Sequence, residues 1–560
     1  MTEKVALQNQ VNRLPFHKLI IAFSALALGL LASFLDQTSI SVIQPEIADA
    51  LNAQATVSWA GTSLMIGQTS FQILSGRLSD IFSRKVLLVF SLCLLSLSQL
   101  ATCFCRTATQ LYVFRGFAGV ANGGITSLSM IFVSDLVTLQ QRGKYQGILG
   151  SCVGLGNALG PFVASGFASS VSWHGNFYFL CPLTAVIAVV SAVFVPSPPD
   201  FKIKWSNFKN IDYYGFFTSS IGIILFLVAI SGGGNTYEWD SPLVISLLTI
   251  GGVFFLIFLF TQWKISRLPM MPLRVYKTPS VAIMMTQNFL FGMVFYANMY
   301  FMPLYFQLVR GWSSYQSACL TLPMVVVQAL SSTISGFLIS YFQHYNFIII
   351  PGFGLWLLGL CLEFALFSKS VPMVGICFIV FVQGLGVGFV FQPTIIALQA
   401  HTRLPDRAVV IATRNFNRSV GAAVGMASCS AIMSNQFRSK LRSSNVGLTS
   451  KEIEKLSKHI YAIDLTAYSP EIQTKLRDIT YHGLRTVFIF FIPLIGACFV
   501  LAFLIRDRGL QGVGEKKEPQ QSTDAEQNKE QESDAEQSHD KESHDEESCD
   551  EESKDNTERK

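Results

Sequence analysis

Long apolar stretches, separated by short polar connections, repeat along most of the chain. About fourteen of them approach the roughly 20 residues that a helix needs to cross the hydrocarbon core of a bilayer. The pattern therefore predicts an all-α integral membrane protein. The predicted spans are residues 19–43, 57–78, 86–104, 111–133, 145–168, 177–195, 215–230, 243–263, 282–308, 317–340, 347–366, 372–398, 409–433 and 487–505.

Composition supports this interpretation. Half of the residues are hydrophobic and only 14% are charged, so a soluble enzyme is a poor fit. The first apolar stretch is too long for a signal peptide and is predicted to be a retained helix. The eleven cysteines are scattered singly and predict neither a metal site nor a disulfide framework. No ATP-binding loop occurs, so no cofactor is predicted and an ion gradient is the expected energy source.

Basic residues collect in alternate connections, which predicts orientation because cytoplasmic loops retain Lys and Arg. Both termini are therefore predicted to be cytoplasmic. The basic cytoplasmic face suits anionic lipid headgroups and is no evidence for nucleic acid. The basic side carries Arg77, Arg84, Lys85, Arg142, Lys144, Lys202, Lys204, Lys209, Lys264, Arg267, Arg274, Lys277, Arg403 and Arg407.

Two polar segments stand apart from the spans. Residues 437–484 are predicted to form a long non-cytoplasmic connection, a lid or spacer, with a short surface helix that begins at a capping box of Thr449 and Glu452. Beyond residue 511 the chain is acidic and predicted to be disordered. Serines recur before acidic residues in this tail, which is either simply solvated or the substrate of an acid-directed kinase.

Asp36 and Arg115 lie inside predicted spans, where an unpaired charge is costly. Asp36 follows an uncharged run in the first span. Its carboxyl is predicted to take up and release protons as its access alternates between the two sides of the membrane. The alternative is a carboxylate close to the membrane interface. Arg115, in the fourth span, is predicted to face a carboxylate inside the bundle, either as part of the proton pathway or as an architectural ion pair.

The connection between the second and third spans is short and dense in opposite charges. Asp80, Arg84 and Lys85 follow Gly76 there. Such a cluster is predicted to form a salt-bridged latch that holds in one conformation and breaks in another. In the fifth span, small residues and one proline permit close helix contact and a pivot. These are Gly147, Gly156, Gly160 and Pro161.

Together these residues resemble the motifs of the major facilitator superfamily, and specifically of its fourteen-span drug:proton antiporter branch, as in fungal members. Residues 76–85 resemble motif A, G-x-L-x-D-x-x-G-R-[RK], and residues 111–123 resemble motif B, whose arginine falls at Arg115. The glycines and proline of the fifth span resemble motif C, which is associated with exporters. Residues 35–38 resemble the L-D-x-T motif of the branch.

The chain also departs from these motifs. Motif A has Ser83 where a glycine is usual, and motif C ends in Ala164 and Ser165 where the family has two glycines. The charges of motif A remain, so the latch is still expected. Asp135 and Arg142, which follow the fourth span, are assigned to the same latch.

The resemblance implies a major facilitator fold of two six-helix bundles with two inserted central helices. The N-terminal bundle is expected over residues 19–195, the inserted pair with flanking loops over 196–275, and the C-terminal bundle over 276–506, including the loop at 437–484. Residues 1–18 and 507–560 are expected to be a cytoplasmic N-terminus and an acidic cytoplasmic tail.

The resemblance also implies a substrate cavity midway through the membrane, between bundles that rock around it. Glu363, in the eleventh span, is a second proton-coupling candidate, whose alternative is a place at the lipid edge near a helix end. Polar residues inside spans are candidates for lining the cavity, with helix packing as the alternative for each. They are Gln68, Asn122, Asn157, Gln287, Asn288, Tyr300, Gln383 and Gln392.

The resemblance implies a proton-coupled antiporter for small organic molecules, drugs or toxins first. Protons would neutralise Asp36, Arg115 would tune or relay that proton, and the motif A latch would lock the outward-facing state. One alternative is a vacuolar transporter of basic amino acids. Another is a transporter-like nutrient sensor. An enzyme is not expected, because no span carries a nucleophile, a base and an orienting group together.

Overall fold

The computed structural model describes residues 16–510 apart from 54–55, 58, 197–210, 234–236, 238, 267, 368–370, 404–405 and 444–468. The long elements in these ranges are all α-helices. They are α1 Phe16–Ala50, α2 Trp59–Phe82, α3 Arg84–Cys103, α4 Ala108–Leu136, α5 Leu139–Ser170, α6 His174–Phe194, α7 Tyr213–Gly232, α8 Pro242–Phe260, α9 Pro279–Leu308, α10 Ser314–Phe342, α11 Asn346–Leu366, α12 Met373–Phe391, α13 Pro393–Ala400, α14 Arg407–Ser443 and α15 Pro470–Ala502.

Twelve segments among the described residues are long and apolar enough to cross a membrane, with α12 and α13 counted as one broken span, Met373–Ala400. The predicted all-α membrane fold is therefore confirmed. The helices α2 and α14 are long but fall short in hydropathy, because polar residues interrupt their apolar faces. These two helices pack against each other, so their polar side chains lie in protein rather than in lipid.

Helix contacts divide most of the described chain into two halves. Helices α1–α6 pack mainly on one another, as do α9–α15, and we call these the N-terminal and C-terminal halves. The main contacts between the halves are α2 with α14 and α5 with α10, which we call the seam. Helices α7 and α8 pack together beside the seam, where α7 also contacts α2 and α14.

Glycines bring α5 close to helices of both halves. A Cβ at Gly147 would lie 2.8 Å from a backbone oxygen of α10. A Cβ at Gly156 or Gly160 would lie 2.9 Å from a backbone oxygen of α1, that of Leu35 in the case of Gly160. Helix α5 continues unbroken through Pro161. These glycines therefore seat α5 against the part of α1 that carries Asp36, while their role as a pivot stays a prediction.

Several helices extend further than predicted. Helix α14 continues to Ser443 and α15 begins at Pro470, so the long connection predicted over 437–484 is confined to 444–469. The apolar pattern marks only the part of a helix in hydrocarbon, whereas the first turns of α15 are amphipathic and bury Leu476 and Ile479. The capping box and the acidic residues beyond 510 lie outside the described residues.

The chain after α15 packs against the end of the helices that carries Arg84 and Arg142, which we call the basic end. The Asp507 carboxylate accepts hydrogen bonds from the N–H groups of Tyr345, at 3.2 Å, and Asn346, at 3.1 Å, and so satisfies the start of α11. Nε2 of His401 lies 2.9 Å from the carbonyl oxygen of Arg506 and 2.8 Å from Oη of Tyr345. Residues 506–510, the C-terminal segment, are thereby fixed to the C-terminal half.

Acidification is expected to loosen the C-terminal segment. Burial and the nearby Arg508 hold the pKa of His401 below its usual value, against the opposing effects of the Arg506 carbonyl and Asp507. Once the segment detaches, the His401 pKa returns to about 6.5, so the detached state binds more protons. Attachment is therefore complete above that pH and weakens as the pH falls below it, by up to about 1.4 kcal/mol per pH unit.

Hydrogen exchange at the amides of Arg508 and Leu510, measured from pH 7.5 to 5.5 and corrected for intrinsic rates, checks this expectation. Asp507 also contacts a second histidine, His344, at 3.4 Å. The comparison therefore uses a His344→Gln background. Replacing His401 by Gln, which does not titrate, should remove the extra pH dependence, and equal profiles with and without His401 would contradict it.

Candidate functional site

Asp36 is the centre of a buried hydrogen-bond cluster between α1 and α4. Its carboxylate accepts hydrogen bonds from Nη1 of Arg115, at 2.7 Å, and from Nδ2 of Asn122, at 2.9 Å. Oγ of Ser33 donates to Oδ1 of Asn122 at 2.7 Å, which orients that amide toward Asp36. The exposed fractions of Asp36 and Arg115 are 0% and 1%. Both side chains are therefore enclosed by protein, and the depth of Asp36 in the membrane stays a prediction.

Arg115 and Asn122 meet Asp36 because residues seven apart lie on nearly the same face of a helix. The carboxylate and the guanidinium neutralise each other, and the ring of Phe177 lies 5.8 Å from the guanidinium carbon of Arg115. Protonation of Asp36 would change the charge of this cluster by one unit and leave the Arg115 cation without its counter-ion. Each of the two buried charges therefore has its counter-ion within the N-terminal half, and the role of Asp36 in proton coupling stays a prediction.

On the prediction that Asp36 couples transport to protons, removing the Asn122 amide should slow proton-driven transport at least about tenfold. Asn122→Ala deletes a hydrogen bond to a buried carboxylate, a contact worth about 1.5–3 kcal/mol. The measurement is the initial transport rate in vesicles at several external pH values. Thr126→Val is the matched control, because that hydroxyl bonds only to the Asn122 carbonyl of its own helix. Equal rates for the two variants would contradict a role for Asn122 at Asp36.

Charged residues of the predicted latch meet at the basic end. Arg84 forms an ion pair with Asp135 and lies 3.6 Å from Asp80. Arg77, one helical turn before Asp80, lies 3.8 Å from it. The described part of the chain offers Lys85 no ion-pair partner. The structure thus brings Asp80, Arg84 and Asp135 together and leaves Lys85 outside the cluster.

The two halves are in contact at the basic end. A Cβ at Gly76 of α2 would lie 2.7 Å from the Cβ of Ala412 of α14, so the glycine permits this approach. Arg142, at the start of α5, donates to Oε1 of Gln399 in α13, at 3.4 Å, and to the carbonyl oxygen of Ser134. Arg142 therefore connects the two halves at the basic end, and its assignment to the latch stays a prediction.

Glu363 is buried within the C-terminal half. One carboxylate oxygen accepts a hydrogen bond from Nε2 of Gln383 at 2.8 Å, and Oε1 of Gln383 accepts one from Nδ2 of Asn298 at 2.8 Å. The side chain is 0% exposed, so the lipid-edge alternative is wrong. Asp36 and Glu363 lie in different halves and do not meet. Across the described ranges, no group of three or more His, Cys, Asp or Glu side chains is arranged for a metal ion.

The candidate cavity residues divide by their surroundings. Gln287 and Asn288 donate to backbone carbonyls of α15 and α14, at 2.9 and 2.5 Å, which supports helix packing for both. Tyr300 is 44% exposed, unlike the buried candidates. Gln392 lies at the break between α12 and α13 beside Gly150 of the other half. The remaining candidates are the buried Gln68, Asn122 and Gln383 and the half-buried Asn157.

Sequence reasoning missed two buried arginines of α14. Arg414 and Arg418 are 2% and 1% exposed. Nη2 of Arg414 donates to the carbonyl oxygen of Phe391, at 2.6 Å, and both guanidinium groups lie over the Phe391 ring, at 5.3 and 4.9 Å from its centroid. The signal was available, because two arginines one helical turn apart fall inside the predicted span 409–433.

Comparisons with known proteins agree on one protein family. The Major Facilitator Superfamily model matches residues 26–426. Citrate exporter 1 of Yarrowia lipolytica is 43% identical over 527 residues, which cover 94% of this chain and 78% of that protein. Efflux pump dotC of Dothistroma septosporum (strain NZE10) is 29% identical, over 76% of this chain and 73% of the pump.

Two more distant similarities complete the comparison. The vacuolar membrane amino acid uptake transporter fnx2 of Schizosaccharomyces pombe is 27% identical, over 91% of this chain and 87% of that protein. The solved structure of the proton:xylose symporter XylE covers 89% of this chain and 98% of its own, with a TM-score of 0.57 and 12% identity. The likeness to XylE concerns the fold alone.

Proposed function

Because this chain belongs to the major facilitator superfamily and is a membrane transporter of that kind, we propose that it is a proton-coupled antiporter that exports a small organic substrate by alternating access. The observation that carries the proposal is the buried Asp36 carboxylate, held by Arg115 and Asn122. A carboxyl is the simplest group that binds one proton on each cycle. Because the carboxyl is buried, its change of charge acts strongly on the surrounding helices.

The mechanism follows from the charge of the Asp36 cluster. With Asp36 ionised, the cluster is neutral and the Arg115 cation is compensated. A proton on Asp36 leaves that cation uncompensated in low dielectric, which favours the conformation that lets water reach it. The halves then rock about the seam, and the proton leaves on the other side.

The latch and the contacts at the basic end set which side is open. In this structure Gly76 and Arg142 connect the halves at the basic end, which we assign to the cytoplasm from its Lys and Arg residues. The ion pairs of Asp80 and Arg84 hold this conformation until proton binding elsewhere makes the opposite one more stable. Both termini then face the cytoplasm, in the plasma membrane or the vacuolar membrane.

Export of an organic substrate is favoured by two relatives whose names describe outward transport, a citrate exporter and an efflux pump. The citrate exporter makes an organic acid the first candidate substrate class, and the efflux pump makes drugs or toxins the second. The vacuolar basic amino acid alternative is less favoured, since Arg414 and Arg418 would repel a cation at the seam. Named transporters among the relatives also favour transport over nutrient sensing.

Reconstitution tests the proposal. Purified protein in vesicles with an imposed pH gradient is given citrate, lysine or the uncharged drug chloramphenicol, while internal pH and substrate are both followed. Proton coupling predicts that one substrate class moves against its gradient, and that a protonophore stops this movement. Substrate flux that is indifferent to the protonophore, at matched membrane potential, would overturn the proposal.

A further inference from the structure

The two arginines of α14 have the features of a substrate anchor. We propose that Arg414 and Arg418 bind the carboxylates of a substrate that carries at least two of them, such as a tricarboxylate. This inference rests on the proposed transport function and names the substrate class for it. It assigns a binding role to two residues that no motif of the sequence includes.

The position of the pair on α14 suits a transported substrate. At 1.5 Å per residue, Arg414 and Arg418 lie roughly 10 to 17 Å beyond the start of the helix, which is mid-membrane for a core about 30 Å thick. Their helix neighbours touch the N-terminal half, since Oγ of Ser419 donates to Oε1 of Gln72 at 2.9 Å. The Asn415 amide likewise lies 3.8 Å from Sδ of Met130. The pair therefore lies on α14 directly beside residues of the seam, where the halves must part.

The charges of the pair are poorly compensated by the protein. No described carboxylate lies within 4.0 Å of either guanidinium. Arg414 donates to the Phe391 carbonyl and, at 3.3 Å, to the neutral side-chain oxygens of Thr394 and Asn415. Its Nε has no hydrogen-bond partner among the described residues, and neither have Nε and Nη1 of Arg418. Buried cations are retained where an anion or a strong acceptor meets them. Guanidinium forks match carboxylates best, so the expected counter-ion is a carboxylate.

Geometry and charge also set the selectivity. Both guanidinium groups stack over the one ring of Phe391, so they are close enough to share a small molecule. A substrate with two or three carboxylates engages both, whereas a monocarboxylate engages one. A cation is repelled, and an uncharged drug leaves both cations unpaired. Gln392, next to Phe391, has an amide with no partner among the described residues and adds a hydrogen-bonding group at the same place.

Binding to the purified full-length protein tests the inference without requiring transport. Thermal stability in detergent is measured against increasing citrate, tricarballylate, acetate, lysine and trimethyl citrate, the last having the same skeleton without charge. Citrate and tricarballylate should stabilise the protein, acetate at least tenfold more weakly, and lysine and the ester not at all. Stabilisation by the ester equal to that by citrate would overturn the charge-based site.

Variants then locate the site. Arg418→Gln should weaken citrate binding at least tenfold, and Arg418→Lys less, because it keeps the charge and loses the fork. Lys440→Gln is the matched control, since it removes one exposed positive charge from the far end of the same helix. Unchanged citrate affinity in Arg418→Gln that elutes as a monodisperse species would refute the assignment. If that variant does not fold, the citrate affinity of Arg418→Lys and the comparison of citrate with trimethyl citrate test the assignment instead.

Failure of this inference differs from failure of the proposed function. Proton movement evoked by lysine or chloramphenicol, with no citrate binding, would refute the carboxylate site and leave the antiporter. Citrate binding that depends on Arg418, with no proton movement, would support the site and refute proton coupling.

Discussion

Asp36→Asn is expected to lower the rate of proton-driven transport at least about 100-fold, which corresponds to a rise of about 2.7 kcal/mol or more in the effective activation free energy. Asparagine keeps the size of the side chain and accepts a hydrogen bond, but it binds no proton. The variant also leaves the buried Arg115 charge uncompensated, which costs about 3–5 kcal/mol in comparable cases. The measurement is initial substrate flux in vesicles at fixed pH gradient and protein density.

Two further variants separate coupling from folding. Glu46→Gln removes an exposed carboxylate from the same helix and should transport normally. The double variant Asp36→Asn with Arg115→Gln removes both buried charges, so it should recover folded yield without recovering proton-driven flux. Proton-driven transport by Asp36→Asn at more than half of the unaltered rate would remove Asp36 as the coupling site.

Gly76→Val is expected to open the basic end and slow transport about fivefold or more. The added Cβ would lie 2.7 Å from Cβ of Ala412 and 3.1 Å from the Ala408 carbonyl oxygen, so α2 and α14 no longer fit together. Overpacking of this kind costs about 1–3 kcal/mol, which shifts a conformational equilibrium about 5- to 150-fold. Because the clash exists only when the basic end is closed, the penalty falls on one conformation.

Distances between spin labels measure this shift directly. Exposed Gln141 and Arg403 lie in different halves at the basic end and accept labels in a background without native cysteines. The distance distribution should lengthen in Gly76→Val. Gly61→Val is the control on the same helix, because no atom lies within 4 Å of a Cβ built there. An unchanged distribution in Gly76→Val would show that this contact does not govern closure.

Much of the fold follows from the sequence, because hydrocarbon imposes a length and a polarity that apolar stretches record. The same signal fails at helix ends. The amphipathic start of α15 at Pro470 lies outside the apolar stretch, and its place depends on what it packs against. The polar helices α2 and α14 were still predicted as spans, although structure is needed to see that each covers the polar face of the other.

The candidate site was likewise predicted only in part from the sequence. Functional roles and polar partners were expected for Asp36 and Arg115, because a buried charge requires a counter-ion or hydrogen bonds. Asn122 was expected only as one of several cavity amides, and its contact with Asp36 depends on the pairing of α1 with α4. Arg414 and Arg418 belong to no recognised motif. Their significance comes from sharing the ring of Phe391, a contact between α14 and α12 that no spacing within one helix reveals.

Proton release on substrate binding tests the central claim, that one buried carboxyl exchanges a proton for an organic anion. Purified protein in weak buffer, at pH values from 5.5 to 8, is mixed with citrate while pH is recorded, and the buffering by free citrate is subtracted. Because antiport requires that substrate and proton exclude each other, citrate binding to the unaltered protein should release up to about one proton per bound citrate at a pH where the carboxyl of Asp36 is protonated, and binding to Asp36→Asn should release none. Release of the same size from Asp36→Asn, or binding without release at any pH from 5.5 to 8, would contradict it.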